Sequence, residues 1–170
     1  WGILTAKPYV IVANMGEDDL TRGSVYLDNL KVWGEKRSRK VVPICTKFEL
    51  EAAELDEDER SEFLRSIGIE RSGTETLIAT CYELLDLITF YTPVGKELRA
   101  WTLKKGGSVF EAAGLIHTDI QKGFIKADVI SLEDFQKYRG LHGARDAGAI
   151  LIEGKEFILR DNDILVIHFR

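Results

Sequence analysis

Two short stretches hold the residue types that ligand chemistry needs. Asn14-Met15-Gly16-Glu17 follows the apolar run Val10-Ile11-Val12-Ala13, and Cys45-Thr46-Lys47 follows Val41-Val42-Pro43-Ile44. An asparagine amide can bond N6 and N7 of adenine together. A guanine reader of the form Asn-Lys-x-Asp adds an aspartate that accepts from N1–H and N2–H₂. Here methionine replaces the lysine and Glu17 replaces the aspartate. The extra methylene moves the carboxylate by roughly 1.5 Å, which spoils a two-bond fit. Losing a hydrogen bond to a charged group costs about 1.5–3 kcal/mol, a factor of roughly 10–150. Adenine, with an acceptor at N1, loses nothing, so the residues favour adenine over guanine.

Other chemistries find no support. The Gly-Lys pairs, Gly95-Lys96 and Gly154-Lys155, are each followed by glutamate and lack the upstream glycine of a Gly-x-x-x-x-Gly-Lys-Ser/Thr phosphate loop. His117, His142 and His168 lie too far apart for metal-ligand spacing. His117 and Asp119 read as a turn with structural hydrogen bonds rather than a catalytic pair. The acidic run Asp56–Glu59 reads as a helix start rather than a metal site.

The elements that position these residues follow from periodicity. A short β-branched apolar run reads as a strand buried on both faces, in a parallel α/β sheet whose ligands sit beyond the carboxyl ends of the strands. After a polar loop at Asn14–Glu17, Tyr26, Leu27, Leu30 and Trp33 repeat on one helix face, ending by Ser38. The basic run Lys36–Lys40 reads as a solvated helix end that complements the dipole, in preference to a nucleic-acid contact. Val41–Cys45 is a second strand. A right-handed strand–helix–strand unit then puts Asn14–Glu17 and Cys45–Lys47 at the same end of the sheet. Phe48–Leu55 reads as a helix, Asp56-x-x-Glu59 and Ser72-x-x-Glu75 as capping boxes, and Leu77–Ile88 as a helix packed on a core.

Beyond residue 88 the period changes to that of strands. Ile88–Thr92 and Leu98–Leu103 pair across a Pro93–Lys96 turn, and Ser108-x-x-Glu111 opens a helix over Val109–Ile116. Ile125, Ala127 and Val129 alternate with Lys126 and Asp128 as a half-buried strand. Ser131–Tyr138 reads as a short helix, 139–148 as a loop, 149–159 as a hairpin and Ile164–Phe169 as a last strand. Strands gripping one helix make an α+β, β-grasp pattern.

The 170-residue chain is 45% hydrophobic and 30% charged, with a net charge of −5. Residues 1–85 carry 11 Lys+Arg against 16 Asp+Glu, whereas residues 86–170 carry 12 of each, so a boundary falls near residue 86. Neither half has the basic excess of an autonomous nucleic-acid binder. No apolar run approaches the ~20 residues of a membrane span. Cys45 and Cys81 read as free thiols of a reducing compartment, the cytoplasm. The chain opens on Trp1 close to its first strand and reads as a piece of something longer.

Thr5-Ala6-Lys7-Pro8, Asn14-Met15-Gly16-Glu17, Arg99-Ala100-Trp101-Thr102, Ala112–Asp119 and Lys122-Gly123-Phe124-Ile125 together resemble the YchF, or Obg-like ATPase, family of translation-associated P-loop NTPases. The resemblance covers the whole chain. It implies that residues 1–85 are the C-terminal part of a P-loop NTPase domain, an α/β fold. Residues 86–170 would be a TGS domain, a β-grasp module also found in threonyl-tRNA synthetases. Asn14, Met15 and Glu17 match the family's base-specificity motif, which favours ATP over GTP, Met15 acting mainly through its backbone. Cys45, Thr46 and Lys47 fall at the second base-contacting loop. The phosphate loop and Mg²⁺ ligands are expected upstream, so this chain alone is expected to be inactive. The alternative is a binding module that contacts ribosome or RNA through Lys96, Arg99, Lys104, Lys105, Lys122 and Lys126, in a stretch of local net charge +3. No membrane contact is expected.

Overall fold

A computed structural model describes residues 2–95 and 97–170. The chain divides into two compact units, Trp1–Leu84 and Leu85–Arg170.

In the first unit, a 3₁₀ turn at Leu4–Ala6 precedes β1 (Ile11–Asn14), α1 (Glu17–Arg22), α2 (Val25–Glu35), β2 (Val41–Ile44), α3 (Thr46–Ala53), α4 (Glu57–Ser66) and α5 (Gly73–Leu84). β1 and β2 are parallel, in register from Ile11↔Val41 to Asn14↔Ile44. Val42 and Ile44 alternate inward, and Pro43, with no N–H to give, sits where a strand has one neighbour. Leu27, Phe48, Ala52 and Leu64 complete the core, with Phe48 and Phe63 edge to face at 6.0 Å. The capping box at Asp56 and Glu59 forms as expected, and Glu75 N–H donates to the Ser72 hydroxyl at 3.0 Å.

Three expectations for this unit change. β1 is not buried on both faces: Val12 is 48% exposed, while α2 and α5 pack against β2. The loop after Asn14 is shorter than expected, because Glu17, Asp18 and Asp19 give α1 an acidic first turn that suits the helix dipole. Tyr26, at 85% exposed, lies off the buried face of α2, which is formed by Leu27 and Gly34.

The second unit runs β3 (Leu87–Val94), β4 (Glu97–Lys104), α6 (Val109–Ile116), α7 (Thr118–Lys122), β5 (Phe124–Ser131), α8 (Leu132–Lys137), α9 (Leu141–Asp146), β6 (Leu151–Glu153) and β7 (Asp163–Phe169). Its sheet order is β4-β3-β7-β5-β6. β3 and β7 are parallel and the other neighbours antiparallel. Successive residues face opposite sides of a sheet, and here both sides are covered. Phe90, Val129 and Leu165 join Val109, Ala112 and Ala113 of α6. Ile130 and Ile164 join Phe135, Leu141 and Ala144 on the other side. The capping box of Ser108 and Glu111 opens α6.

Here too the sequence misleads at definite points. Ile88 belongs to β3, not to the helix before it. A register shift between Phe124 and Lys126 turns Phe124 inward and leaves Ile125 52% exposed. Covering of both faces buries Asp128, expected to face solvent. Residues 141–146 are helical where a loop was expected, and Ala144 plugs the second cluster. The 149–159 hairpin does not form: β6 pairs with β5, and Ile158 makes only an isolated bridge to Ser108. β3 runs through Val94 into Gly95, whose φ of 65° makes the turn. Lys96 lies outside the described residues.

Candidate nucleotide-base site

Parallel pairing brings Asn14 and Thr46 to the same end of β1 and β2. The Asn14 Oδ1 accepts from the Thr46 backbone N–H at 3.4 Å and from its hydroxyl at 3.2 Å. A backbone N–H is a donor only, so it fixes the amide's orientation and leaves Nδ2 as the free donor. Met15 is tied through its backbone, its N–H donating to Ile44 C=O at 2.7 Å. Gly16 then turns the chain into α1, and Leu20 N–H returns to Gly16 C=O at 3.0 Å.

Glu17 and Lys47 form an ion pair between the two loops. The hydrogen bond and the negative charge of Glu17 raise the Lys47 pKa above its ordinary value. Sequence reasoning named both residues but not their pairing, which depends on which turn of α3 faces α1. The pair occupies the carboxylate that a guanine reader would need free.

Cys45 takes the N-cap position of α3 with its side chain buried, 2% exposed. Glu49 N–H donates to the Cys45 C=O at 3.0 Å. Cys45 is therefore buried as a whole, and its carbonyl is used inside α3. Glu49, unnoticed in the sequence, accepts from Gly73 N–H at 2.6 Å and Thr74 N–H at 3.3 Å. It docks the start of α5 beside Ile44, where a Cβ on Gly73 would lie 2.8 Å from Ile44 Cγ1. This fixes the ground under the Cys45–Lys47 loop.

The basic residues of the second unit are spread out. Arg99 and Lys104 lie on opposite faces of β4 by strand alternation. The Arg99 guanidinium stacks 4.4 Å from the Trp101 ring centroid. Lys104 Nζ donates to Leu85 C=O at 2.7 Å, and Lys105 N–H donates to Asp86 C=O at 2.7 Å. Lys122 ends α7, and Lys126 on β5 stands beside His168 of β7. β3 and β7 separate β4 from β5, so these cations do not converge on one point.

His117 behaves as the turn reading expects: its Nδ1 accepts from Asp119 N–H at 3.1 Å and caps α7. A cluster the sequence did not reveal is built on Asp128. Its carboxylate meets Arg145 at 3.0 Å and His168 at 3.1 Å. The β5–β7 register brings His168 beside Asp128 and α9 brings Arg145, and no spacing signals either. Among the described residues no group of His, Cys, Asp and Glu could hold a metal ion. No helix among them is long and apolar enough to cross a membrane.

Residues 87–170 match the family YchF-GTPase_C, described as "Protein of unknown function (DUF933)". The chain is 44% identical over 170 residues to the "Ribosome-binding ATPase YchF" of Pasteurella multocida, matching 100% of this chain and 46% of that protein. The protein of that name in Bacillus subtilis is 41% identical over 170 residues, covering 99% of this chain and 46% of its own length. The "Structure of the Schizosaccharomyces pombe YchF GTPase" superposes with a TM-score of 0.85 at 32% identity, over 97% of this chain and 44% of that one. The chain thus spans about half the length of the curated relatives it matches. It belongs to the YchF family, whose C-terminal portion it represents.

Proposed function

We propose that this chain supplies the base-recognition half of an ATP site in a longer P-loop NTPase, together with a TGS-type β-grasp domain over residues 86–170. The single observation that carries the reading is the geometry at Asn14. Its oxygen is held by Thr46, its Nδ2 is free, and the nearby Glu17 carboxylate is engaged by Lys47. An amide so placed can donate from Nδ2 to N7 of the purine, while both lone pairs of Oδ1 are taken by Thr46. The discrimination then falls to the carboxylate: guanine N1–H and N2–H₂ find none free, because Glu17 is engaged by Lys47. The names of relatives divide between ATPase and GTPase, and these residues favour ATP.

Phosphate and Mg²⁺ contacts fall to the upstream half of such a protein, where positioning and electrostatic stabilisation carry phosphoryl transfer. The sheet order of residues 85–170 supports the β-grasp assignment: a hairpin, a helix across it, and the last strand beside and parallel to the first. Relatives named ribosome-binding ATPase favour a cytoplasmic partner of that kind. Lys105, Lys122 and Lys126 are the candidate phosphate contacts. Calorimetric titration of the intact protein with ATP and with GTP tests the nucleotide reading. Co-sedimentation with ribosomes at rising salt tests the partner reading, and no pelleting at low salt removes it.

A further inference from the structure

The turn after α2 is built differently from a solvated helix end. The last turn of α2 carries no cation, and Lys36 stands only at its cap. The chain instead folds back over Gly34, whose carbonyl accepts from Arg37 N–H at 3.0 Å and Arg39 N–H at 2.8 Å. Ser38 between them adopts φ of 53°. The two guanidiniums go to aromatic rings. Arg37 lies 4.4 Å from the Trp33 centroid and Arg39 lies 4.5 Å from the Tyr9 centroid. The β1–β2 register, extended back from Ile11↔Val41, brings Tyr9 opposite Arg39, and Ile11 N–H donates to Lys40 C=O at 3.0 Å. Trp33 remains 39% exposed and Tyr9 41%.

Residues 31–40 hold Lys31, Lys36, Arg37, Arg39 and Lys40 against Glu35, a net of +4 in a unit that is acidic as a whole. Lys31, Arg39 and Lys40, together with Glu35, line a groove of about 330 Å³ beside the Tyr9–Arg39 pair. Lys40 is engaged by Glu83, which leaves Lys31, Lys36 and the two arginines for a ligand.

We infer that this surface binds single-stranded RNA, with bases stacking on the Trp33–Arg37 and Tyr9–Arg39 platforms and phosphates meeting Lys31 and Lys36. Charge alone would suit any polyanion. Planar guanidiniums laid on exposed rings suit a flat base, which is how sequence-tolerant single-strand binders are built. The surface lies at the amino ends of β1 and β2, opposite the base site at their carboxyl ends. Nucleotide and RNA therefore occupy separate places. The choice of RNA over DNA rests on the ribosome-binding reading above.

The test uses the intact protein and a dye-labelled twelve-residue oligouridylate at low salt. Binding is expected, with Arg37→Ala/Arg39→Ala weakening it at least tenfold through the lost base stacking. Arg37→Lys/Arg39→Lys keeps the charge and loses the planar stack, so an intermediate loss is expected. A 4-thiouridine oligonucleotide should cross-link to peptides containing Tyr9 or Trp33, a readout that needs no variant to fold. Unchanged affinity in the alanine pair, full affinity in the lysine pair, tighter binding of oligothymidylate, equal binding of polyglutamate, or cross-links confined elsewhere would each overturn the inference. Pelleting of the same variants with ribosomes reports on the ribosome reading separately.

Discussion

Asn14 and Thr46 meet across the ends of two parallel strands, the Asn14 Oδ1 taking both the backbone N–H and the hydroxyl of Thr46. The geometry separates the two ends of one amide: the oxygen is structural, the nitrogen is left for a ligand. Asn14→Asp keeps an acceptor for Thr46 and deletes the donor. It should leave the melting temperature nearly unchanged while weakening ATP binding about tenfold, the equivalent of roughly 1.4 kcal/mol. Calorimetry on the intact protein reads the binding, and scanning calorimetry reads the fold.

The ion pair between Glu17 and Lys47 should act on specificity rather than on folding. Both partners are solvent-accessible, so the pair weakens with salt. Lys47→Ala frees the Glu17 carboxylate to accept from guanine. The ratio of ATP to GTP affinity should then narrow several-fold, on the order of one hydrogen bond, with ATP affinity itself little altered. Competition titrations with the two nucleotides measure the ratio.

These two loops show what the sequence contained and what it withheld. The strand ends, the parallel crossover and three capping patterns are local, written in β-branched runs and Ser/Asp-x-x-Glu spacing, and they appear where expected. Burial of Asp128 and exposure of Ile125 were not legible, because a one-residue bulge and a second layer of helices decide them. The α9 helix was hidden by glycines: Gly140 and Gly148 take positive φ at its flanks, while Gly143 sits inside it. Pairings such as Glu17 with Lys47 require a register that periodicity does not specify.

Gly34 gives a stability test with an unusual sign. Within a helix, glycine to alanine is ordinarily stabilising by roughly 1 kcal/mol. Here a Cβ would lie 2.7 Å from the Arg39 carbonyl oxygen and 2.9 Å from Val41 Cγ2. Gly34→Ala should therefore destabilise, by about 1–3 kcal/mol, and the loss should appear in urea unfolding followed by Trp33 fluorescence.

Asp163 offers a pH test. It opens β7, is 6% exposed, and accepts from Arg160 N–H at 2.8 Å. Burial raises its pKa above the ordinary carboxylate value, against the lowering by the Arg160 N–H and charge. The folded state holds this proton more tightly than the unfolded chain. Its contribution is thus full below the unfolded pKa, about 3.9, and is lost as pH rises through the raised folded value. Asp163→Asn removes the titration. The melting temperature of the variant relative to the unaltered protein should rise between pH 4 and pH 7. A flat difference across that range would exclude the effect.

The most direct test of base recognition is competition between ATP and GTP for the intact protein at equilibrium, without turnover. A carboxylate at Glu17 held by Lys47, and so not free to accept from guanine N1–H and N2–H₂, should give ATP at least tenfold tighter binding, the value of about one hydrogen bond to a charged group. Equal affinity, or tighter binding of GTP, would contradict it.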